Sequence, residues 1–254
     1  MNAGLTMFFV QYLVQAGVFF TIPLFLSVAL GLSALETGIR ILPLSIALLA
    51  GAVGIPKFFP RASPRLVVRL GVLAMLAGTL VLILALDPDA AAAIVTVPLL
   101  LIGLGIGAFA SQLGAVTVSA VPDKLAGEVG GLQNTATNLG AAIGTALAGS
   151  ILIAALTTSF LTSVTDNPDI PSSVKDQASV QLASGIPFMS DADLKAALDE
   201  AGVAPDVAAE AIEANEQARV DGLRSALSVL ALIALSGLFF ARAVPKTPKS
   251  APES

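Results

Sequence analysis

The chain has 254 residues, of which 56% are hydrophobic and only 12% are charged, with a formal net charge of −5. Soluble domains usually carry about 25% charged residues, so water is not the expected solvent for most of this chain, and no basic tract points to nucleic acid. Cysteine and histidine are absent, which excludes disulfides, thiolate or imidazole metal sites and His- or Cys-dependent catalysis; we expect neither enzymatic activity nor a cofactor.

Long apolar segments follow one another along most of the chain. Each is long enough for a transmembrane helix, which needs about 20 residues. Pro23 in the first segment is expected to distort its helix, because proline removes a backbone hydrogen bond. The fifth segment exceeds one span, so we expect it to tilt, kink or project. The predicted fold is an all-α integral membrane six-helix bundle, with spans near residues 5–30, 38–58, 66–86, 93–121, 129–161 and 223–241.

An acidic stretch interrupts this pattern before the last span. Ser190 and Asp193 have the spacing of a capping box, Gly202 suits a helix stop, and Pro205 suits the first turn of a helix that can run into the last span. The predicted organisation is five transmembrane helices in 1–161, an acidic and partly helical extracytoplasmic loop in 162–218, a sixth helix in 219–242 and a disordered tail in 243–254.

The distribution of Lys and Arg predicts the orientation of the chain. Basic residues between spans are typical of the cytoplasmic side. The loops near 31–37 and 87–92 contain no Lys or Arg. We therefore predict a multi-pass protein of the cell (inner or plasma) membrane with both termini in the cytoplasm. Its predicted cytoplasmic basic loop comprises Lys57, Arg61, Arg65 and Arg69, with Lys124, Arg242, Lys246 and Lys249 on the same side.

Small residues recur at four-residue spacing in the fourth and fifth spans. Such stripes allow helix backbones to approach closely in a bilayer. Gly103 and Gly107 in the fourth span, and Gly140 and Gly144 in the fifth, are the predicted packing positions. Packing without any transport activity is an equally open interpretation of these glycines.

Amide side chains are concentrated in spans one, four and five. Amides inside a bilayer need partners, so they face a bundle interior or a wet cavity. Spans three and six are nearly free of such groups, which favours a lipid-facing position for both. No Asp or Glu lies deep in a span, so any proton-coupling carboxylate is expected outside this chain. The candidate substrate-cavity residues are Gln11, Gln15, Gln112, Asn134 and Asn138, with simple cross-linking of helices as the alternative.

Several of these segments resemble one known family. The segments are GLQNTATNLGAAIGTALAGSIL (131–152), the preceding GLGIGAFASQLGAVTVSAVPDKLAGEVG, TGIRILPLSIALLAGAVG (37–54), the PLFL of 23–26 and the loop KFFPRASPRLVVRLG. Together they resemble the late helices of the fourteen-helix drug:proton antiporter branch of the major facilitator superfamily. The resemblance covers nearly the whole chain, and residues 131–152 are its most specific part.

The resemblance implies a six-helix bundle that forms the C-terminal half of a two-bundle exporter. Its third and sixth helices would be peripheral, and its first, second, fourth and fifth would border the central cavity. Substrates of that branch are small lipophilic, often cationic compounds exported in exchange for protons. The N-terminal half, with its basic loop and intramembrane acid, is missing, so we expect a truncated or split product that is inactive alone. A second hypothesis is a six-helix membrane scaffold or assembly subunit without a substrate.

Overall fold

A computed structural model describes residues 2–87, 90–118, 126–166, 190–200 and 205–243. Within these ranges the regular structure is entirely helical, which confirms the predicted all-α class. Six of the described α-helices are long and apolar enough to cross a membrane, and the exception is the ten-residue helix Asp191–Glu200. The α-helices are α1 Asn2–Leu24, α2 Ala34–Phe58, α3 Pro64–Ala85, α4 Thr96–Val118, α5 Ala126–Asp166, α6 Asp191–Glu200 and α7 Pro205–Phe240.

The end of α1 shows the irregularity expected from its proline. After Pro23 the backbone continues as a π-helix over Phe25–Ala29. The Leu30 amide donates to the Phe25 carbonyl at 3.0 Å, and the Ser27 hydroxyl donates to the Pro23 carbonyl at 2.6 Å. Local side-chain and π-type hydrogen bonds thus replace part of the regular pattern, as is usual for proline in membrane helices.

Three of the helices are capped at their N-terminus by a serine side chain. Ser33 and Glu36 form a capping box at the start of α2, which therefore begins four residues earlier than predicted. Ser63 accepts a hydrogen bond from the Leu66 amide at 3.3 Å at the start of α3. Ser190 accepts from the Asp193 amide at 3.2 Å, so the predicted cap of α6 is confirmed.

Two helices are much longer than a bilayer requires. Helix α5 has 41 residues and α7 has 36, or about 60 Å and 54 Å at 1.5 Å per residue. Residues 161 and 219, the predicted limits of the fifth and sixth membrane segments, lie inside α5 and α7, because helical hydrogen bonding continues beyond the apolar stretch. Helix α7 starts at Pro205 and runs into the last span, as anticipated; Gly202 and the tail from residue 244 lie outside the described residues.

The spans alternate in direction and pack around one core. Close contacts of Gly140 and Gly144 with Phe9 and Leu13 show that α1 and α5 are parallel. Helix α7 is antiparallel to α1, because Gly17 contacts Leu230 whereas Val10 contacts Gly237. Helix α2 packs on α4, α4 on α3, α3 on α7, and α7 on both α5 and α1. The contact between α1 and α4 closes the ring, and α4 touches α5 only sparsely.

The spans differ in how much of their surface is buried within this chain, and the lipid-facing position expected for spans three and six stays a prediction. Only 17% of the most apolar stretch of α2 and 28% of that of α5 is buried, against 44% in α3 and 39% in α7. Helix α3 buries Gly71, Met75 and Gly78 against its neighbours. Spans with few polar groups thus also pack against neighbouring helices in this chain, through their apolar faces.

A short helix caps one end of the bundle. Arg219 of α7 is almost fully buried, and its Nη2 donates to Asp191 Oδ2 at 2.6 Å at the start of α6. Asn215 Nδ2 also reaches Asp191, at 3.5 Å. One turn further along α7, Arg224 Nη2 donates to the Leu86 carbonyl at 2.6 Å and so caps the C-terminus of α3.

Candidate functional site

The amide side chains form two pairs, one on α1 and one on α5. Gln11 Nε2 donates to Gln15 Oε1 at 3.4 Å. Asn138 Nδ2 donates to Asn134 Oδ1 at 3.1 Å and to the Asn134 carbonyl at 2.9 Å. Each pair has four-residue spacing, which places both members on one face of their helix.

Glycine contacts set the register between these two helices. Gly140 lies against the Phe9 carbonyl and Gly144 against the Leu13 carbonyl. Because α1 and α5 are parallel, this register places Asn138 about one turn, or roughly 6 Å, from the level of Gln11. The two amide pairs therefore occupy consecutive levels of adjacent helices.

Burial separates the two pairs. Gln11 is only 4% exposed and lies in the buried stripe of α1 with Met7, Val14 and Val18. Its Oε1 is buried and accepts no hydrogen bond within the described part of the chain. Gln15 is half-buried. Gln11 thus lies inside the bundle, where an amide oxygen requires a water or another donor.

The second pair lies on the outer surface of α5. Asn134 and Asn138 are exposed and share one helix face with Gly131, Ala142 and Thr145, which are exposed as well. This face, referred to below as the polar face of α5, contains only small or polar residues. Amides in contact with lipid are unfavourable, so such a face requires a second protein surface or a water-filled cavity.

The fifth amide stands apart from both pairs. Gln112 is half-buried on α4, in the last turn whose side chains the structure describes. Among the described residues, α4 makes few contacts with α5. The role of all five amides as cavity-lining residues stays a prediction.

The four packing glycines lie at backbone-to-backbone crossings. A methyl group on Gly103 would overlap with the Leu44 carbonyl oxygen, and one on Gly107 with the Leu48 carbonyl oxygen, both of α2. Gly140 and Gly144 make the corresponding contacts with α1. Two helix pairs, α2–α4 and α1–α5, are therefore joined at distances that only glycine permits.

The basic loop lies where α2 ends and α3 begins. Lys57, Arg61 and Arg69 are exposed and Arg65 is half-buried. The turn Ala241–Ala243, which contains Arg242, packs on α3. We call this side of the molecule the basic end; the acidic helix α6 lies at the opposite end.

Two features of the structure were not anticipated from the sequence. The first is an apolar cleft of about 630 Å³ between α2 and α3, next to the basic loop. Small residues such as Gly54 and Ala74 line this cleft, but small residues are also found where helices pack closely. The cleft could therefore not be recognised from the sequence. The second is the ion pair between Arg219 and Asp191. The sequence indicated it only by a single arginine in an acidic segment.

The family model described as Major Facilitator Superfamily matches residues 1–145, which cover α1 to α4 and the first half of α5. No curated protein matches the chain.

Proposed function

Because this chain belongs to the Major Facilitator Superfamily, a family of membrane transporters rather than enzymes, we propose that it forms one helical bundle of a proton-coupled exporter of drugs or other small lipophilic compounds. Six helices of the described part of the chain are long and apolar enough to span a membrane, which supports a multi-pass membrane protein of this transport family. The narrower assignment is supported by the resemblance of residues 131–152 and of the basic loop to the drug:proton antiporter branch.

The polar face of α5 is the observation that carries this proposal. Asn134 and Asn138 lie exposed within the candidate span that runs over Gly127–Ser159. A bilayer would leave their remaining donors and acceptors without partners. A water-filled path for substrate satisfies them, and the apolar residues around them suit lipophilic compounds.

A second helical bundle completes the proposed transporter. Alternating access requires two bundles that rock around a central site. Helices α2 and α5 have the lowest buried fractions of the described spans, which leaves their faces available for such a partner. Basic residues favour the cytoplasmic side, so we propose that the basic end and both termini lie in the cytoplasm.

Proton coupling would draw on a carboxylate of the partner bundle. Among the described spans, the acidic residues lie near helix ends, as Glu36, Glu128 and Asp166 do, or in the polar part of α7 between residues 206 and 221. A proton relay normally needs an ionisable group deeper in the membrane. The present bundle would then contribute substrate contacts and the second wall of the cavity.

A dye-efflux experiment tests this proposal. The chain is expressed alone, and joined to the first bundle of a related drug exporter, in cells that lack their own drug exporters. We expect energised cells to export ethidium only with the joined protein, and a protonophore to abolish that export. Equal efflux by the chain alone, or none by the joined protein at a normal membrane level, would contradict the proposal.

One substitution separates a cavity residue from a structural one. Asn138→Leu in the joined protein should lower ethidium efflux about three- to tenfold, the effect of one lost hydrogen bond, at an unchanged membrane level. The control is Ser150→Ala, because Ser150 is also exposed on α5 but lies outside its polar face. Loss of the Asn138→Leu protein from the membrane would instead indicate a purely structural amide.

A further inference from the structure

The apolar cleft between α2 and α3 has the properties of a binding site. Its volume of about 630 Å³ lies within the range of roughly 300–1,000 Å³ usual for small-molecule sites. Glycine and alanine on the facing sides of α2 and α3 leave the space open, and the loop after α2 closes one end. The walls are formed by α2, α3 and α4, and the lining residues used below are Gly54, Phe58, Phe59, Ala62, Leu66 and Leu70.

Positive charge surrounds the closed end of this cleft. Lys57 Nζ lies 5.7 Å from the centroid of the Phe58 ring, and Phe58 lines the cleft. Arg61 is exposed in the closing loop, between the lining residues Phe59 and Ala62. Residues 50–74 contain Lys57 and three arginines but no Asp or Glu. The closed end of the apolar cleft therefore lies beside a group of cations.

We propose that this cleft binds one anionic phospholipid of the surrounding bilayer. An acyl chain occupies the space between α2 and α3, and the headgroup phosphate contacts Lys57 and Arg61. Basic pockets between transmembrane helices suit anionic headgroups, and arginine and lysine are the usual partners of phosphate. The proposal does not depend on the exported compound or on transport itself.

Helix geometry provides a control for the charge. Leu66, Leu70 and Ala74 line the cleft from α3 at four-residue spacing. Arg69 precedes Leu70 and so projects about 100° away from it around the helix. It is exposed at the same end of the bundle as Lys57 and Arg61. Arg69→Gln thus removes an equal charge without touching the cleft.

The glycines of α2 provide a control for the apolar slot. A methyl group on Gly54 would meet only the Phe58 ring, at 3.8 Å, so a larger side chain fits there and fills the cleft. Gly38 lies on the same helix at its other end and has no neighbour within 4 Å of an added methyl group. Gly54→Leu and Gly38→Leu are therefore matched substitutions, one inside the cleft and one outside.

Native mass spectrometry of the full chain in mild detergent measures the binding directly. Phosphatidylglycerol and phosphatidylcholine with identical acyl chains are titrated in parallel. We expect one tightly bound phosphatidylglycerol. Lys57→Gln and Arg61→Gln should each weaken it about fivefold, the usual contribution of one cation near a membrane surface, whereas Arg69→Gln should leave it unchanged. Gly54→Leu should abolish the adduct and Gly38→Leu should retain it.

Other results would overturn the proposal. Equal affinity for the two lipids would show that the cations do not select the headgroup. If Arg69→Gln weakened phosphatidylglycerol binding as much as Lys57→Gln does, the lipid would be attracted by the overall positive charge and not bound at a specific site. Dimers without a lipid adduct would show that a second copy covers the cleft. Thermal melting of each variant identifies a folding defect, and retained phosphatidylglycerol in a folded Gly54→Leu protein would place the lipid elsewhere.

Discussion

Glycine determines where the helices of this bundle meet. Gly140 and Gly144 bring α5 into direct contact with the backbone of α1, and Gly103 and Gly107 do the same for α4 and α2. The spacing of these glycines could be recognised in the sequence. Their partner helices could not, because a four-residue stripe of small residues specifies a packing face but not what packs on it.

Replacement of Gly144 should therefore destabilise the bundle. In Gly144→Ala the added methyl group overlaps with the Leu13 carbonyl oxygen, and separating the helices should cost about 2 kcal/mol, as overpacking does elsewhere. The measurement is thermal unfolding of the protein in detergent. Gly131→Ala is the control on the same helix, because a methyl group there meets no atom within 4 Å. Equal melting temperatures for the two variants would contradict this account.

The amides show the limit of prediction at this scale. Their presence in α1, α4 and α5 was evident from the sequence, and their pairing at Gln11–Gln15 and Asn134–Asn138 follows from helical spacing. Which pair is buried could not be predicted. Burial depends on which helices pack against each pair. Helices α1 and α5 are both apolar and both carry amides at four-residue spacing, so their composition does not distinguish the buried pair.

At the scale of helices, their number and order were predictable, but not their ends. Apolar length identified the six spans. Hydropathy marked the apolar segments but not the full helices, because α5 and α7 both continue beyond those segments. The continuation of α7 is held by tertiary contacts, namely the Arg219–Asp191 pair and the Arg224–Leu86 hydrogen bond. Contacts between segments far apart in sequence leave no local pattern.

Loss of the Asp191 carboxylate should release α6 from α7. Asp191→Ala removes two contacts, from Arg219 and Asn215, and charge-assisted hydrogen bonds of this kind contribute about 2 kcal/mol. Amide hydrogen exchange in α6 should therefore become about 30-fold faster. Asp199→Ala is the control, because its ion pair with Lys195 within α6 is exposed. Unchanged exchange in Asp191→Ala would show that other contacts hold α6.

At the scale of the whole molecule, orientation in the membrane can be tested without removing any native thiol, because the chain has no cysteine. Arg61→Cys introduces one at the basic end, and Ala91→Cys introduces one in the exposed turn before α4 at the opposite end. If the basic end is cytoplasmic, a membrane-impermeant maleimide should label Ala91→Cys in intact cells and Arg61→Cys only after permeabilisation. The reverse labelling pattern would show that the chain is inverted.

The contact pattern divides the bundle into two units. Helices α1 and α5 form one and α2 and α4 the other, each joined backbone to backbone, while the described residues of α4 and α5 barely touch. Where two helix backbones meet at a glycine, no side chains lie between them that could repack. The two helices of a pair therefore cannot slide along each other without losing this contact. Any opening motion of this bundle should therefore separate the α1–α5 pair from the α2–α4 pair, while α3 and α7 hold the two pairs together on the opposite side.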